Sequence, residues 1–200
     1  MCIRDSNQTT HYSIVDQYGN AVSVTTTLNA DYGSKLFVEE NGFFLNNEMD
    51  DFSIKPGVKN MYGLIGSDVN KVEPNKRMLS SMTPTIIEED GELALVLGSP
   101  GGPKIITTVL QVILNIFEFG MGTQQAVDAL RFHHQFVPEE IYIEPGTFKT
   151  KTIKKLKEKG YLISKKRNKI GRVDAIRVMP SGGVIPAADK RGDAASSILN

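Results

Sequence analysis

Residues 10–16 and 21–28 alternate polar positions with threonine, valine, isoleucine and tyrosine, and Gln17-Tyr18-Gly19-Asn20 between them has the composition of a turn. That pattern predicts a β-hairpin. With pairing centred near Tyr18, residues whose numbers sum to about 36 face each other, which sets Thr9 opposite Thr27. Phe43, Phe44 and Leu45 predict a strand running into the polar, acidic stretch Asn46-Asn47-Glu48-Met49-Asp50-Asp51. Residues 55–75 carry proline, glycine and asparagine at short intervals with little periodicity, as a long surface loop does. Strands are expected at 83–88 and 93–97, the second ending in Gly98-Ser99-Pro100-Gly101-Gly102, and residues 105–119 follow with helical spacing of their apolar positions.

Further along, the pattern predicts a short helix over 123–130, a strand over 141–144, an amphipathic helix over 150–159 closed by Gly160, and a last strand pair at 173–178 and 183–187. No internal repeat and no low-complexity tract interrupts the series. Strands in pairs with helices between them imply an α+β layered domain rather than a parallel βαβ sheet.

Composition narrows the function classes. The 200 residues are 40% hydrophobic and 23% charged with zero formal net charge, a globular balance with no pull toward polyanions. No apolar run approaches the roughly 20 residues of a spanning helix, and nothing at the start reads as a secretion signal. One cysteine, Cys2, excludes an internal disulfide and makes redox chemistry a poor fit. Charge is unevenly divided: residues 1–100 hold seven basic and fourteen acidic side chains, residues 101–200 sixteen and nine.

Candidate chemistry begins at Thr9-Thr10-His11-Tyr12-Ser13. By strand propensity alone these threonines are β-branched residues of a sheet. A threonine exposed by a cut just before it is also a nucleophile that carries its own base, since a free α-amine has a solution pKa of about 7.7 to 8.0. Glu48 and Asp51 with the amide of Asn29 form a sensible site for a cation if the fold gathers them, although an acidic cluster after a strand is usually a solvated turn. The segment 98–102 lacks the lysine and spacing of a phosphate-binding loop. His133 and His134 do not share a helix face and lack further ligands at metal spacing, which makes them structural. Lys151, Lys154, Lys155, Lys157 and Lys159, then Lys165, Lys166, Arg167 and Lys169, form a basic stretch without interleaved aromatics. This is a solvated helix face, or a surface that helps dock a partner, rather than a nucleic-acid site.

From Asp5 to Asp193 the sequence resembles γ-glutamyltransferases of the N-terminal nucleophile hydrolase superfamily, on Thr9-Thr10-His11-Tyr12-Ser13-Ile14-Val15-Asp16 and the downstream segments above. The resemblance implies a four-layer αββα sandwich, incomplete without a large subunit of the same precursor. It implies self-cleavage between Gln8 and Thr9, so that residues 1–8 are the remnant of the large-subunit end and residues 9–200 the small catalytic subunit. Met1-Cys2-Ile3-Arg4 fits nothing in the family. Thr9 becomes the nucleophile and Thr27 its supporting threonine. Asn29, Glu48 and Asp51 hold the substrate's α-ammonium, and Ser80 and Ser81 hydrogen-bond its α-carboxylate, whose charge an arginine of the large subunit neutralises. Gly101 and Gly102 supply the oxyanion hole, and Tyr62, in the loop 55–75, covers the pocket as part of a lid. Met78 stands where the family usually has proline.

The implied reaction is γ-glutamyl transfer and hydrolysis of glutathione and related compounds, to water or to an amino-acid or peptide acceptor, with no cofactor or metal. The implied compartment is periplasmic or extracellular. Two rivals remain open on the residues: a cephalosporin-acylase-like amidohydrolase, against which the carboxylates of Glu48 and Asp51 argue, and a folded fragment with no activity of its own.

Overall fold

The computed structural model describes residues 9–166 and 168–199. The expected remnant 1–8, with its cleavage bond to Thr9, and Arg167 of the basic stretch lie outside the described residues. In chain order the strands and helices are β1 (Thr10–Val15), β2 (Ala21–Thr26), β3 (Phe37–Val38), β4 (Phe43–Phe44), β5 (Thr85–Glu89), β6 (Glu92–Gly98), α1 (Ile105–Phe117), α2 (Thr123–Asp128), β7 (Phe132–His133), β8 (Glu140–Ile143), α3 (Thr150–Glu158), β9 (Leu162–Ile163), β10 (Asp174–Val178) and β11 (Val184–Ala188). The α+β class expected from the pattern is the class observed.

The central sheet runs β11-β10-β6-β5, antiparallel throughout. Asp90 and Gly91, both at positive φ (54° and 83°), make the tight β5–β6 turn, as hairpins with two-residue loops require. Every residue of β6 from Ala94 to Gly98 is buried because both faces of the sheet are covered. On one face Leu95 and Leu97 pack with Ile105, Val109, Val112 and Ile116 of α1, Ala126 and Val127 of α2, and Val173, Ala175 and Ala187. The spacing 105, 109, 112, 116 is the single buried stripe of an amphipathic helix.

On the other face lies the β1–β2 hairpin, in the expected register with Thr10 opposite Thr26 and His11 opposite Thr25. It turns its polar side inward. Ser23 Oγ donates to the Leu97 carbonyl (3.0 Å) and accepts from Thr85 N–H (3.1 Å). The His11 ring bonds the hydroxyls of Thr25 and Ser13 and rests on Gly98, where a Cβ would come within 2.3 Å of the ring. Only glycine permits that approach. Tyr12, Ile14 and Val22 consequently face outward and are exposed.

Three short strands departed from expectation. Phe37–Val38 pairs with Phe43–Phe44, and Phe132–His133 and Leu162–Ile163 flank β8. The β8–α3–β9 unit is parallel, a small βαβ element beside the antiparallel sheet. Its helix exposes its lysines, the solvated face that the composition implied.

Candidate active site

The hairpin register delivers two threonines to one point. Thr9 is 4% exposed, and its hydroxyl donates to Thr27 Oγ1 at 3.0 Å. Thr27 Oγ1 also accepts the N–H of Asn29 at 2.8 Å, a contact made possible by the left-handed backbone of Asn29 (φ 71°). Asn47 fixes that turn: its carbonyl accepts from Asn29 Nδ2 (3.2 Å) and its Oδ1 from Ala30 N–H (2.9 Å). Chain reversal after β2 thus holds the threonine pair in place.

Thr9, Thr27, Asn29, Asp51, Tyr62, Ser80, Ser81 and Gly102 line one cavity of about 500 Å³. Asp51 ends a single 3-10 turn, Glu48–Asp51, and Glu48 sits beside the wall rather than on it. Burial raises both carboxyls above the ordinary range; Asp51's charge adds to the rise at Glu48, while the Ser81 hydrogen bond opposes it at Asp51. Ser81 Oγ donates to Asp51 Oδ2 at 2.7 Å, and Ser80 Oγ to the Met82 carbonyl at 2.9 Å. A cation bound here relieves the crowding of like charge, and the two serines stand next to it with hydroxyls that can turn to an anion.

The loop expected at 55–75 is irregular but organised. Asn60 Oδ1 accepts the N–H groups of Tyr62 and Leu64, both at 3.0 Å, and Lys59 bridges Ile65, so Tyr62 rides on a tight turn. Its hydroxyl donates to the Asn29 carbonyl at 2.9 Å, and its ring lies 3.5 Å from where a Cβ of Gly102 would stand. Asn70 anchors the base of the loop, donating to the Asp51 carbonyl (2.7 Å) and accepting from Leu79 N–H (3.1 Å). Gly101 (φ 145°) and Gly102 (φ 56°) both occupy backbone territory that favours glycine. Gly102 reaches the large cavity; Gly101 lines a second, smaller one.

The γ-glutamyltranspeptidase family model matches residues 2–199, nearly the whole chain. The chain belongs to the γ-glutamyltranspeptidase family. A glutathione hydrolase proenzyme of Escherichia coli (strain K12) is 52% identical over 94% of this chain. The match covers 32% of that relative, so the chain spans about a third of the length of the relatives it matches. The structure of the γ-glutamyltranspeptidase from Pseudomonas nitroreducens complexed with L-DON has a chain that superposes with a TM-score of 0.88 at 46% identity, covering 96% of this chain and 100% of that one. A cephalosporin acylase from Bacillus halodurans superposes with a TM-score of 0.81 at 23% identity, over 95% of this chain and 34% of that one, a likeness of fold alone.

In this family member the glycine loop is held from beneath by residues that no local pattern marks. Ser99 Oγ accepts Arg172 N–H at 2.9 Å, and the Cβ position of Gly101 is 3.4 Å from the Cα of Gly171. The segment 170–173 is itself fixed by a buried ionic cluster. Glu144 accepts from Ile170 N–H and from Arg191, Asp189 accepts from Val173 N–H and pairs with Arg131 at 2.8 Å, and Arg131 donates to the Ile170 carbonyl. His133 bonds Thr107 (2.7 Å) and Gln135 (2.9 Å) and is buried, the structural role expected of it.

Two titrating groups sit on the hairpin side of the sheet. Burial pulls His11 down to about 4, and burial followed by the charge of Asp189, against Arg172, pushes Asp174 up to about 6. Asp174 Oδ1 has no hydrogen-bond partner among the described residues. The unfolded chain binds more protons at His11 between its ordinary value and about 4, so this term removes stability as pH falls through that window. At Asp174 the folded chain binds more, so its penalty is full above about pH 6 and fades below it. Asp174→Asn should therefore raise the thermal midpoint by a few degrees near pH 8, with the gain shrinking to nothing near pH 4. Midpoints of variant and wild type across that range check this, and a pH-independent difference would contradict it.

Proposed function

We propose that this chain is the nucleophile-bearing subunit of an enzyme that transfers and hydrolyses γ-glutamyl groups, glutathione among them, and that it works with a large subunit after a cut between Gln8 and Thr9. The observation that carries the reading is the Thr9–Thr27 hydroxyl pair at 3.0 Å on the wall of a cavity that also holds Asp51, Ser80 and Ser81. A nucleophile, a cation site and an anion site share one chamber, which is what an α-amino-acid headgroup attached to a reactive side-chain amide requires.

In maturation Thr9 Oγ attacks the Gln8 carbonyl, the peptide C–N bond breaks to give an ester and a free amine, and water hydrolyses the ester. In turnover the Thr9 amine takes the hydroxyl proton as Oγ attacks the γ-carbonyl. Gly101 and Gly102 N–H groups meet the oxyanion, and the proton passes to the departing amine as its C–N bond breaks. Water or an acceptor amine then attacks the Thr9 ester by the same path. Asp51, with Glu48 beside it, and Asn29 hold the α-ammonium, and Ser80 and Ser81 the α-carboxylate. Tyr62 closes the chamber.

A four-layer αββα sandwich follows from the same reading. This chain contributes α1 and α2, the central sheet and the hairpin, and the large subunit covers the apolar outer side of the hairpin at Tyr12, Ile14 and Val22. The threefold greater length of the relatives supports such a partner.

The test uses the assembled pair with two donors, a γ-glutamyl anilide and a glutaryl anilide that lacks the α-ammonium. Preference for the γ-glutamyl donor of about a hundredfold or more in kcat/KM is expected for loss of a hydrogen-bonded charged group. Equal use, or preference for the glutaryl compound, would place the enzyme with the acylases instead. No turnover of either donor would leave only the inert-fragment reading.

A further inference from the structure

The glycine loop contains a hydroxyl that the mechanism above does not use. Ser99 is fully buried, and its Oγ donates to the carbonyl of Pro100 at 2.7 Å while accepting Arg172 N–H at 2.9 Å. Its single proton is thereby committed to Pro100. Gly171, at φ 65°, makes the close approach of the neighbouring segment possible, since a Cβ there would stand 2.8 Å from Ser99 Oγ and 2.5 Å from the Thr108 methyl group.

The bond to Pro100 bears on a different atom. The Pro100–Gly101 peptide is trans, and in a planar trans peptide the carbonyl and the N–H point in opposite directions. The proline ring fixes φ of residue 100, while Gly101, at φ 145° and without a Cβ, offers little resistance to rotation of the peptide plane between them. The Pro100 carbonyl is the handle on that rotation. Ser99 holds it, and because both residues are buried, bulk water is not at hand to replace the hydroxyl. We propose that Ser99 is a positioning residue: through the Pro100 carbonyl it sets the direction of the Gly101 N–H, and so the strength of the oxyanion contact, without touching the substrate. The inference rests on the γ-glutamyl reading above and on the part Gly101 plays in it. Without the hydroxyl the plane can turn and the Gly101 donor leaves its line to the oxyanion, whereas Asp51, Ser80 and Ser81 keep their places at the headgroup. The loss falls on the transition state and spares ground-state binding.

The experiment compares wild type, Ser99→Ala and Ser99→Cys, each cleaved and assembled with its large subunit; a variant that fails to cleave is supplied as two chains, the second beginning at Thr9. With a γ-glutamyl anilide, Ser99→Ala should lower kcat by about tenfold to a hundredfold, less than the roughly 10²–10³ that deletion of an oxyanion donor costs, with KM changed by less than about twofold. Cysteine, a weaker donor of similar shape, should fall between. Two inhibitors separate orientation from general damage. In a boronate analogue of the γ-glutamyl group the boron accepts the Thr9 Oγ lone pair, the hydroxyl proton passes to the Thr9 amine, and the tetrahedral adduct carries the negative charge; its affinity should fall by the same factor as kcat. Glutamate, which engages the headgroup site alone, should bind all three proteins alike. Equal losses for boronate and glutamate would make Ser99 a support of the whole chamber and overturn the inference, as would unchanged kcat and boronate affinity, or failure of both variants to fold. A wild type that releases no aniline from the γ-glutamyl donor removes the γ-glutamyl reading and the inference together, a result distinct from any difference between wild type and variants.

Discussion

A Thr9→Ala variant should remain joined at Gln8 and lose γ-glutamyl turnover by a factor on the order of 10⁴ or more, the scale on which loss of a covalent nucleophile is felt in other hydrolases. On the proposed mechanism alanine deletes the atom that attacks in both the cut and the reaction, while the fold has little reason to change. Among the described residues the Thr9 hydroxyl bonds Thr27, at the head of a hairpin whose register is set by the pairs from Thr10 to Val15. Thr9→Ser keeps an oxygen in nearly the same place and should cut more slowly yet still cut. Intact-mass measurement reads the cleavage and anilide release reads the turnover. A Thr9→Ala protein that appears as two pieces, or that turns over the donor, would remove Thr9 from the mechanism.

The second large effect concerns stability. Arg131 is 1% exposed, with Asp189 at 0% and Glu144 at 3%. Its guanidinium pairs with Asp189 and donates to the carbonyls of Ile170 and Val127. Arg131→Met leaves Asp189 with less positive charge around a buried carboxylate, a change that costs about 3–5 kcal/mol in comparable sites. For a domain of this size that lowers the thermal midpoint by about 10 °C. Lysine should not rescue it, because a single ammonium cannot reach a carboxylate and two carbonyls in the fixed planes that the guanidinium uses. Pairing Arg131→Met with Asp189→Leu should recover part of the loss; if the double variant were as unstable as the sum of the single ones, the cluster would not act as a unit.

The hairpin and its register were legible because alternation continues over six residues on each side of an obvious turn, and the α1 stripe because it repeats over three turns. Strands of two residues, such as Phe132–His133 and Leu162–Ile163, are too short for any period to register. The ionic cluster escaped for a different reason. Arg131, Glu144 and the neighbours Asp189 and Arg191 come from three separate stretches of the sequence, and each alone looks like a surface charge. Asn47, Asn60 and Asn70 act as hydrogen-bond hubs around the chamber, yet in the sequence they are merely loop asparagines. The positions of Asn29, Asp51, Ser80 and Ser81 on one wall could be anticipated through family resemblance, not through spacing.

The inverted hairpin has a consequence for how the protein is made. Among the described residues β1 and β2 form a sheet of their own, so each strand keeps an outer edge beside the exposed side chains of Tyr12, Ile14 and Val22. Edges and apolar faces of this kind invite pairing with other copies. In a precursor that continues through Gln8, the covering segment is tethered to the surface it must cover, at an effective concentration of about a millimolar or above. Docking within one molecule would then outrun association between molecules in dilute solution, and on the proposed reading the cut before Thr9 would follow burial of that face. Synthesis as one chain is, on this view, a solubility device as much as a means of delivering a nucleophile.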